Sequence, residues 1–331
     1  MISFKEDHIS QIPALLMLEK FGYTYLTPDE ALALRGGNLA NVLLEPVLRK
    51  QLAAINVVQV SSMRTTVFSE QNITAGIDAL RNIPMDEGFM EASQTVYDLL
   101  TSGKTLEQIV DGDRKSFVMQ YIDWKNPRNN VFHVTEEFAV SRTGMTETYR
   151  PDIVLFVNGI PLCVIECKRP DVKDSIEQAI SQHLRNQKAD GIRSLYLYST
   201  LLLAINRQEG SYATTATPEK FWARWREQFA DREAEARYRQ ELERVVNEPL
   251  LDDKLFGERF GYVRRNFEEL YRQPVTPSVQ DEYLCNLCRP ERLLQLMYGF
   301  TLYDDGIKKV ARYQQYFAVR QTMRRIRHIE G

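Results

Sequence analysis

Two short apolar runs joined by a tight turn constrain this chain more than any other feature. Ile153 to Val157 and Ile160 to Ile165 are separated only by Asn158-Gly159, a dipeptide suited to a type I′ hairpin between two buried strands. Asp152 opens the first strand, and Glu166 and Lys168 stand near the end of the second. Successive strand residues point to opposite faces. Glu166, Lys168 and Val164 therefore share one face, while Cys163, Ile165 and Cys167 point to the other. An acid and a lysine ending such an apolar run cost roughly several kcal/mol unless a partner compensates. A divalent cation is an obvious partner. Two carboxylates on neighbouring strands make a hard oxygen site suited to Mg²⁺. The lysine beside them can orient a water and offset negative charge on a phosphate.

Asp152 followed by Glu166-x-Lys168 matches the PD-(D/E)xK nuclease motif. The wider wording adds Arg150-Pro151-Asp152, Asn158-Gly159-Ile160-Pro161 and Glu166-Cys167-Lys168-Arg169-Pro170. It resembles the amino-terminal nuclease region of type I restriction enzyme R subunits. The resemblance implies an α/β chain with a restriction-endonuclease-like core, a mixed central sheet flanked by helices. To this it adds helical additions and the first helices of a RecA-like motor domain. Asp152 and Glu166 would hold the metal, the Cys167 carbonyl would add a ligand, and Lys168 would position the attacking water. R subunits also carry an opening helix whose acid approaches the metal from across the sheet, and Glu6 is the matching position. On the helix after the motif they carry Gln-x-x-x-Tyr. Gln182 matches the glutamine, but Asn186 stands where the tyrosine is expected.

A length of 331 residues suggests two domains, one large and one small or partial. The hydrophobic and charged fractions are ordinary for a globular protein, and a net charge of −3 leaves DNA contact to a local basic patch. With no signal peptide and no long apolar run, the chain reads as cytoplasmic, without a membrane partner. Four cysteines are too few for a disulfide framework. Cys285-x-x-Cys288 lacks a second half to complete a zinc site, so it reads as reduced and structural.

Ile9, Ile12, Leu15, Leu16 and Leu18 form the apolar face of an opening helix that Gly22 can stop, with Pro13 tolerated only in the first turn. Residues 24 to 115 read as a mainly helical insertion, with helical spacing over Leu39 to Ile55 and Phe89 to Leu106 and a strand over Ser61 to Phe68. Phe132 to Val140 fits the first strand of the nuclease sheet. A helix capped by Asp174 or Ser175 follows the motif, with Ile176, Ala179, Ile180, His183 and Leu184 on its packing face. Ser194 to Ile205 is a strand pattern, broken at Ser199-Thr200. Trp222 and Trp225 read as neighbours on one helix, in the core. Ala230 to Asn247 reads as a solvated helix of interleaved charge. Gln273-Pro-Val-Thr-Pro-Ser is the best linker candidate. These readings divide the chain into a nuclease domain at 1–260 and a linker with the beginning of a motor at 261–331.

The tail, through Lys308 to Val319, looks like the entry to the superfamily 2 motor of R subunits. In that family a glutamine before an aromatic-Ala-Val run reads the adenine of ATP; Gln315 is the better match and Gln314 the second. A glutamine amide both donates and accepts, as an adenine edge requires. No Gly-x-x-x-x-Gly-Lys-Ser/Thr loop follows before Gly331. The expectation is a piece of a longer subunit, with ATP hydrolysis confined to the full-length protein. The resulting functional expectation is a Mg²⁺-dependent type I deoxyribonuclease. Its partners would be double-stranded DNA and the modification and specificity subunits. The competing expectations are a non-cleaving module that binds DNA or docks subunits, and the nuclease of another nuclease–helicase fusion.

Overall fold

The computed structural model describes residues 10–61, 64–250 and 252–329. At its centre is a mixed six-stranded sheet whose strands lie side by side in chain order. They are β1 (Thr24–Leu26), β2 (Phe132–Glu136), β3 (Ile153–Val157), β4 (Ile160–Cys167), β5 (Leu201–Ile205) and β6 (Gly210–Ala213). β1 runs parallel to β2 and β4 parallel to β5; the other neighbours are antiparallel. Every residue of β3, β4 and β5 is buried, which is why their sequences are uniformly apolar rather than alternating.

The Asn158-Gly159 turn has φ of 51° and 83°, the left-handed pair of a type I′ hairpin. Asn158 is fully buried and donates to the carbonyl of Tyr121 at 2.9 Å, so the turn is bolted to the body. A bulge then shifts the register by one residue. Val157 faces Ile160 and Phe156 faces Pro161, but Leu155 faces Cys163, leaving Leu162 as the extra residue. Pro161 has no N–H to give to a ladder, so a bulge next to it loses little. Without that extra residue, continuing the turn's register would set Asp152 opposite Ile165. With it, the register brings Asp152 opposite Glu166, on the same face of the sheet.

Helices cover both faces. The Ser175–Asn186 helix lays Ile176, Ala179 and Ile180 against Ala204, on the face that carries Glu166. Asp174 stands at its amino end with φ of 53° and makes no side-chain cap; the Ser175 hydroxyl instead accepts from Asn206 at 2.8 Å. On the other face lie the Ile12–Lys20 helix, with Pro13 inside its first turn, and the Val279–Leu287 helix. There the Cys163 and Cys288 thiols meet, and all four cysteines are buried and free.

Several sequence expectations are corrected. The sheet begins with Thr24–Leu26, not with Phe132. Helix outweighs strand in the insertion, as expected, but the insertion is not helical throughout. It contains helices Glu45–Ile55, Glu70–Arg81 and Phe89–Ser102, but also the hairpins Val57–Ser61/Arg64–Val67 and Lys104–Val110/Asp113–Met119. The helical reading of Leu39 to Ile55 holds only from Glu45, and that of Phe89 to Leu106 stops at Gly103, whose φ is 79°. Arg193–Tyr196 is a helical turn ahead of β5, because Tyr196 turns inward to hydrogen-bond His183. Trp222 and Trp225 share no helix: Ala223 bridges to Tyr212 in extended backbone. Trp225 is buried against Tyr212 and Tyr316, a core role as expected.

Residues after the Gln273–Ser278 segment pack on the same core. Tyr23 donates to the Cys288 carbonyl at 2.7 Å, Gln280 to the Ser10 carbonyl at 2.8 Å and Tyr97 to the Thr301 carbonyl at 2.8 Å. From the hairpin Thr301–Asp304/Ile307–Val310, Lys308 reaches inward and donates to the Ser199 carbonyl at 3.0 Å. Burial lowers the Lys308 pKa to about 7. Among the described residues no helix is long and apolar enough to cross a membrane.

Candidate active site

Asp152, Glu166 and Lys168 converge where β3 begins and β4 ends. Asp152 Oδ2 accepts the Cys167 N–H at 2.8 Å, and the Lys168 ammonium lies 3.4 Å from the same oxygen. Lys168 also donates to the Cys167 carbonyl at 3.1 Å. The ammonium thus bridges two of the oxygens expected to bind a cation. Lys168 and Asp152 side chains are only 13% and 18% exposed, so this ion pair is largely withdrawn from water.

Glu166 is the anomaly. Its side chain is fully buried, and neither carboxylate oxygen has a hydrogen-bond donor among the described residues. Burial, and then the neighbouring Asp152 carboxylate, push its pKa well above the usual carboxylate range; Lys168 and Arg185 pull it down less. A buried carboxylate with no donor costs about 1–3 kcal/mol or more, so its retention needs a compensating partner. Two adjacent carboxylates with a backbone carbonyl offer hard oxygen donors and net negative charge, which fits Mg²⁺. No group of three or more His, Cys, Asp or Glu side chains that could hold a metal occurs among the described residues. Any cation here would therefore draw on two carboxylates, a main-chain oxygen and water or phosphate.

The amino-terminal helix ties the two strand ends together. Ser10 Oγ donates to the Lys168 carbonyl at 2.8 Å, and Gln11 Nε2 donates to the Asp152 carbonyl at 2.9 Å. Sequence reasoning missed both residues, because nothing local marks a serine or glutamine as a bracket for strands more than a hundred positions away. Glu6 lies outside the described residues. Gln182 is half-buried on the Ser175–Asn186 helix and makes no hydrogen bond to the three site residues. Asn186 is buried and accepts from Arg185. Gln314 and Gln315 are exposed, and Gln315 Oε1 accepts the Arg312 N–H at 2.8 Å at the start of the last helix. They stand apart from the acidic pair in a different part of the molecule.

A cleft of about 510 Å³ is lined in part by Arg150, Glu137, Thr148 and Arg259, and by none of the three site residues. Its link to the site is through backbone, where the Glu137 N–H donates to the Asp152 carbonyl at 3.1 Å.

Comparison with known proteins identifies the family to which the chain is similar. The family model described as type I restriction enzyme R protein N terminus matches residues 3–221. A putative type I restriction enzyme MjaIXP endonuclease subunit of Methanocaldococcus jannaschii is 25% identical over 329 residues, covering 97% of this chain and 28% of its own length. The type I restriction enzyme HindI endonuclease subunit of Haemophilus influenzae is 24% identical over 331 residues, covering 96% of this chain and 26% of its own. The chain thus spans about a quarter of the length of these relatives.

Proposed function

Because the chain belongs to the family of type I restriction enzyme R protein amino-terminal regions, we propose that its acidic pair is the DNA-cleaving centre of such a subunit. The observation that carries this reading is Glu166, buried without a donor among the described residues, beside Asp152 and Lys168. Asp152, Glu166 and the Cys167 carbonyl would hold Mg²⁺, which when bound polarises a phosphate and makes water a stronger nucleophile. Lys168 holds its ammonium 3.4 Å from Asp152 Oδ2 and 3.1 Å from the Cys167 carbonyl. Once released from the Asp152 and Cys167 oxygens, its ammonium can orient water and offset charge on a non-bridging phosphate oxygen. No nucleophilic side chain is required, so the reaction is direct hydrolysis of a phosphodiester. Ser10 and Gln11 hold the two strand ends in register, and the fully buried strands β3 and β4 keep the carboxylates from moving apart.

The remaining roles follow the relatives. A cytoplasmic enzyme would cut DNA after translocation by an ATP-driven motor reached through the segment from 261 on, in a complex with modification and specificity subunits. Gln315, or Gln314, would meet adenine there, and Gln182 and Glu6 would support the nuclease site. Plasmid nicking with Mg²⁺ tests the cleavage reading. Wild type is expected to nick, and Asp152→Ala to lose nicking at matched DNA binding; equal rates in both sink the assignment.

A further inference from the structure

Arg185 is a cation near the site with no task in the reading above. It lies on the helix that covers the Glu166 face, and its side chain is exposed. The guanidinium carbon stands 4.6 Å from the centre of the Tyr149 ring. Nε and Nη2 donate to Asn186 Oδ1 at 3.4 and 3.2 Å. Neither partner is charged. Arg142 stacks on the same ring at 4.7 Å, but Glu147 and Asp190 neutralise it at 3.0 and 2.6 Å. Among the described residues no carboxylate comes within ion-pair reach of Arg185.

The two arginines thus share a ring and differ in charge balance. Arg142 is a structural strut. Arg185 is held in place by uncharged groups, with its Nη1 donors uncommitted and its charge intact. A guanidinium fixed on an aromatic plane has already lost much of its rotamer freedom, and its fork matches the two oxygens of a phosphate. Its helix packs on Ala204, which pairs with Glu166, and the Tyr149 ring beneath the guanidinium lies three positions before Asp152, so the charge stands on the site's side of the sheet. Asn186 occupies the place where an aromatic was expected. Here the aromatic comes instead from Tyr149, at the end of a separate short strand, and Asn186 steers the guanidinium.

We infer that Arg185 contacts a DNA phosphate beside the Asp152–Glu166 pair, with Tyr149 and Asn186 as its positioning residues. This deepens the nuclease reading and rests on it. The test is binding of a short fluorescein-labelled duplex to the 331-residue chain, followed by anisotropy across a salt series in EDTA. Loss of one phosphate contact lowers the slope of log affinity against log salt by about one. Arg185→Gln is expected to show that loss, with an unchanged melting temperature because the side chain is at the surface. Arg185→Lys is expected to keep the slope with weaker binding. An unchanged slope in Arg185→Gln overturns the inference, as does wild type that fails to bind at the lowest salt. Asp152→Ala, assayed in parallel, separates the two readings. Its nicking reports on the cleavage centre alone, whereas its salt slope is expected to match wild type.

Discussion

Glu136 and Glu166 are fully buried glutamates that end strands two places apart at one edge of one sheet, and they are handled in opposite ways. Glu136 lies across from Ile153, on the face opposite Glu166. It receives Arg259 Nε at 2.9 Å and Nη2 at 3.4 Å, and the Tyr25 hydroxyl at 3.0 Å. Among the described residues Glu166 receives no donor, and it has another carboxylate for a neighbour. Burial of an acid therefore does not mark a reactive centre. What marks it is burial without compensation, since the stability lost there must be recovered through something the site binds.

The largest effects should separate the two acids by readout. Glu166→Ala is expected to reduce nicking on the order of a thousandfold, the scale set by losing one preorganised electrostatic group. It should leave the urea midpoint unchanged or raised. Glu136→Ala should do the reverse, lowering unfolding free energy by about 2–3 kcal/mol. That is below the range for fully buried pairs because the Arg259 side chain remains 43% exposed. Its nicking per folded molecule should stay within a few-fold of wild type. If Glu136→Ala abolishes nicking while the fold survives, the contrast breaks and the arginine-bound acid belongs to the site.

The next effect sharpens the contrast through pH. The folded Glu166 pKa lies well above its ordinary value of 4.5. Between those two values the unfolded chain has lost this proton and the native protein has kept it, so the native state binds more protons. Stability in EDTA therefore falls as pH rises through that window, the opposite of an ion-paired acid. Glu166→Gln removes the titrating charge and is expected to flatten this slope, adding about 1–3 kcal/mol at neutral pH. Wild-type stability that rises from pH 5 to pH 8 in EDTA, and rises equally in Glu166→Gln, would show that the carboxylate is compensated after all. Mg²⁺ should raise wild-type stability more than that of the variant.

How much of this was legible depended on sequence distance. The β3–β4 hairpin, its turn and the acids at its ends could be read because a dipeptide and two apolar runs specify them locally. The bulge at Leu162 could not. A simple count from the turn places Asp152 across from Ile165, and only the extra residue brings it to Glu166. The same turn signal recurs at Asp111-Gly112 and Asp305-Gly306, both with positive φ at each residue. The helical reading of residues 24 to 115 passed over the first, although Asp-Gly is as local a cue as Asn158-Gly159. Glu136 was illegible for a different reason: Arg259 lies 123 positions away, and nothing in either neighbourhood names the other.

The smallest expected effect concerns how Glu136 is satisfied. Arg259 spans both carboxylate oxygens with a planar fork, whereas a lysine offers a point charge. Arg259→Lys should therefore keep the ion pair but lose one hydrogen bond, lowering unfolding free energy by about 0.5–1.5 kcal/mol. The Tyr25 hydroxyl continues to hold Oε1, so the acid is never orphaned. Tyr25→Phe alone should cost a similar amount, and the double variant more than the sum, because only then does buried Glu136 approach the condition of Glu166. Simple additivity in urea denaturation would mean that the two donors act independently, and that loss of both does not convert a structural acid into an uncompensated one.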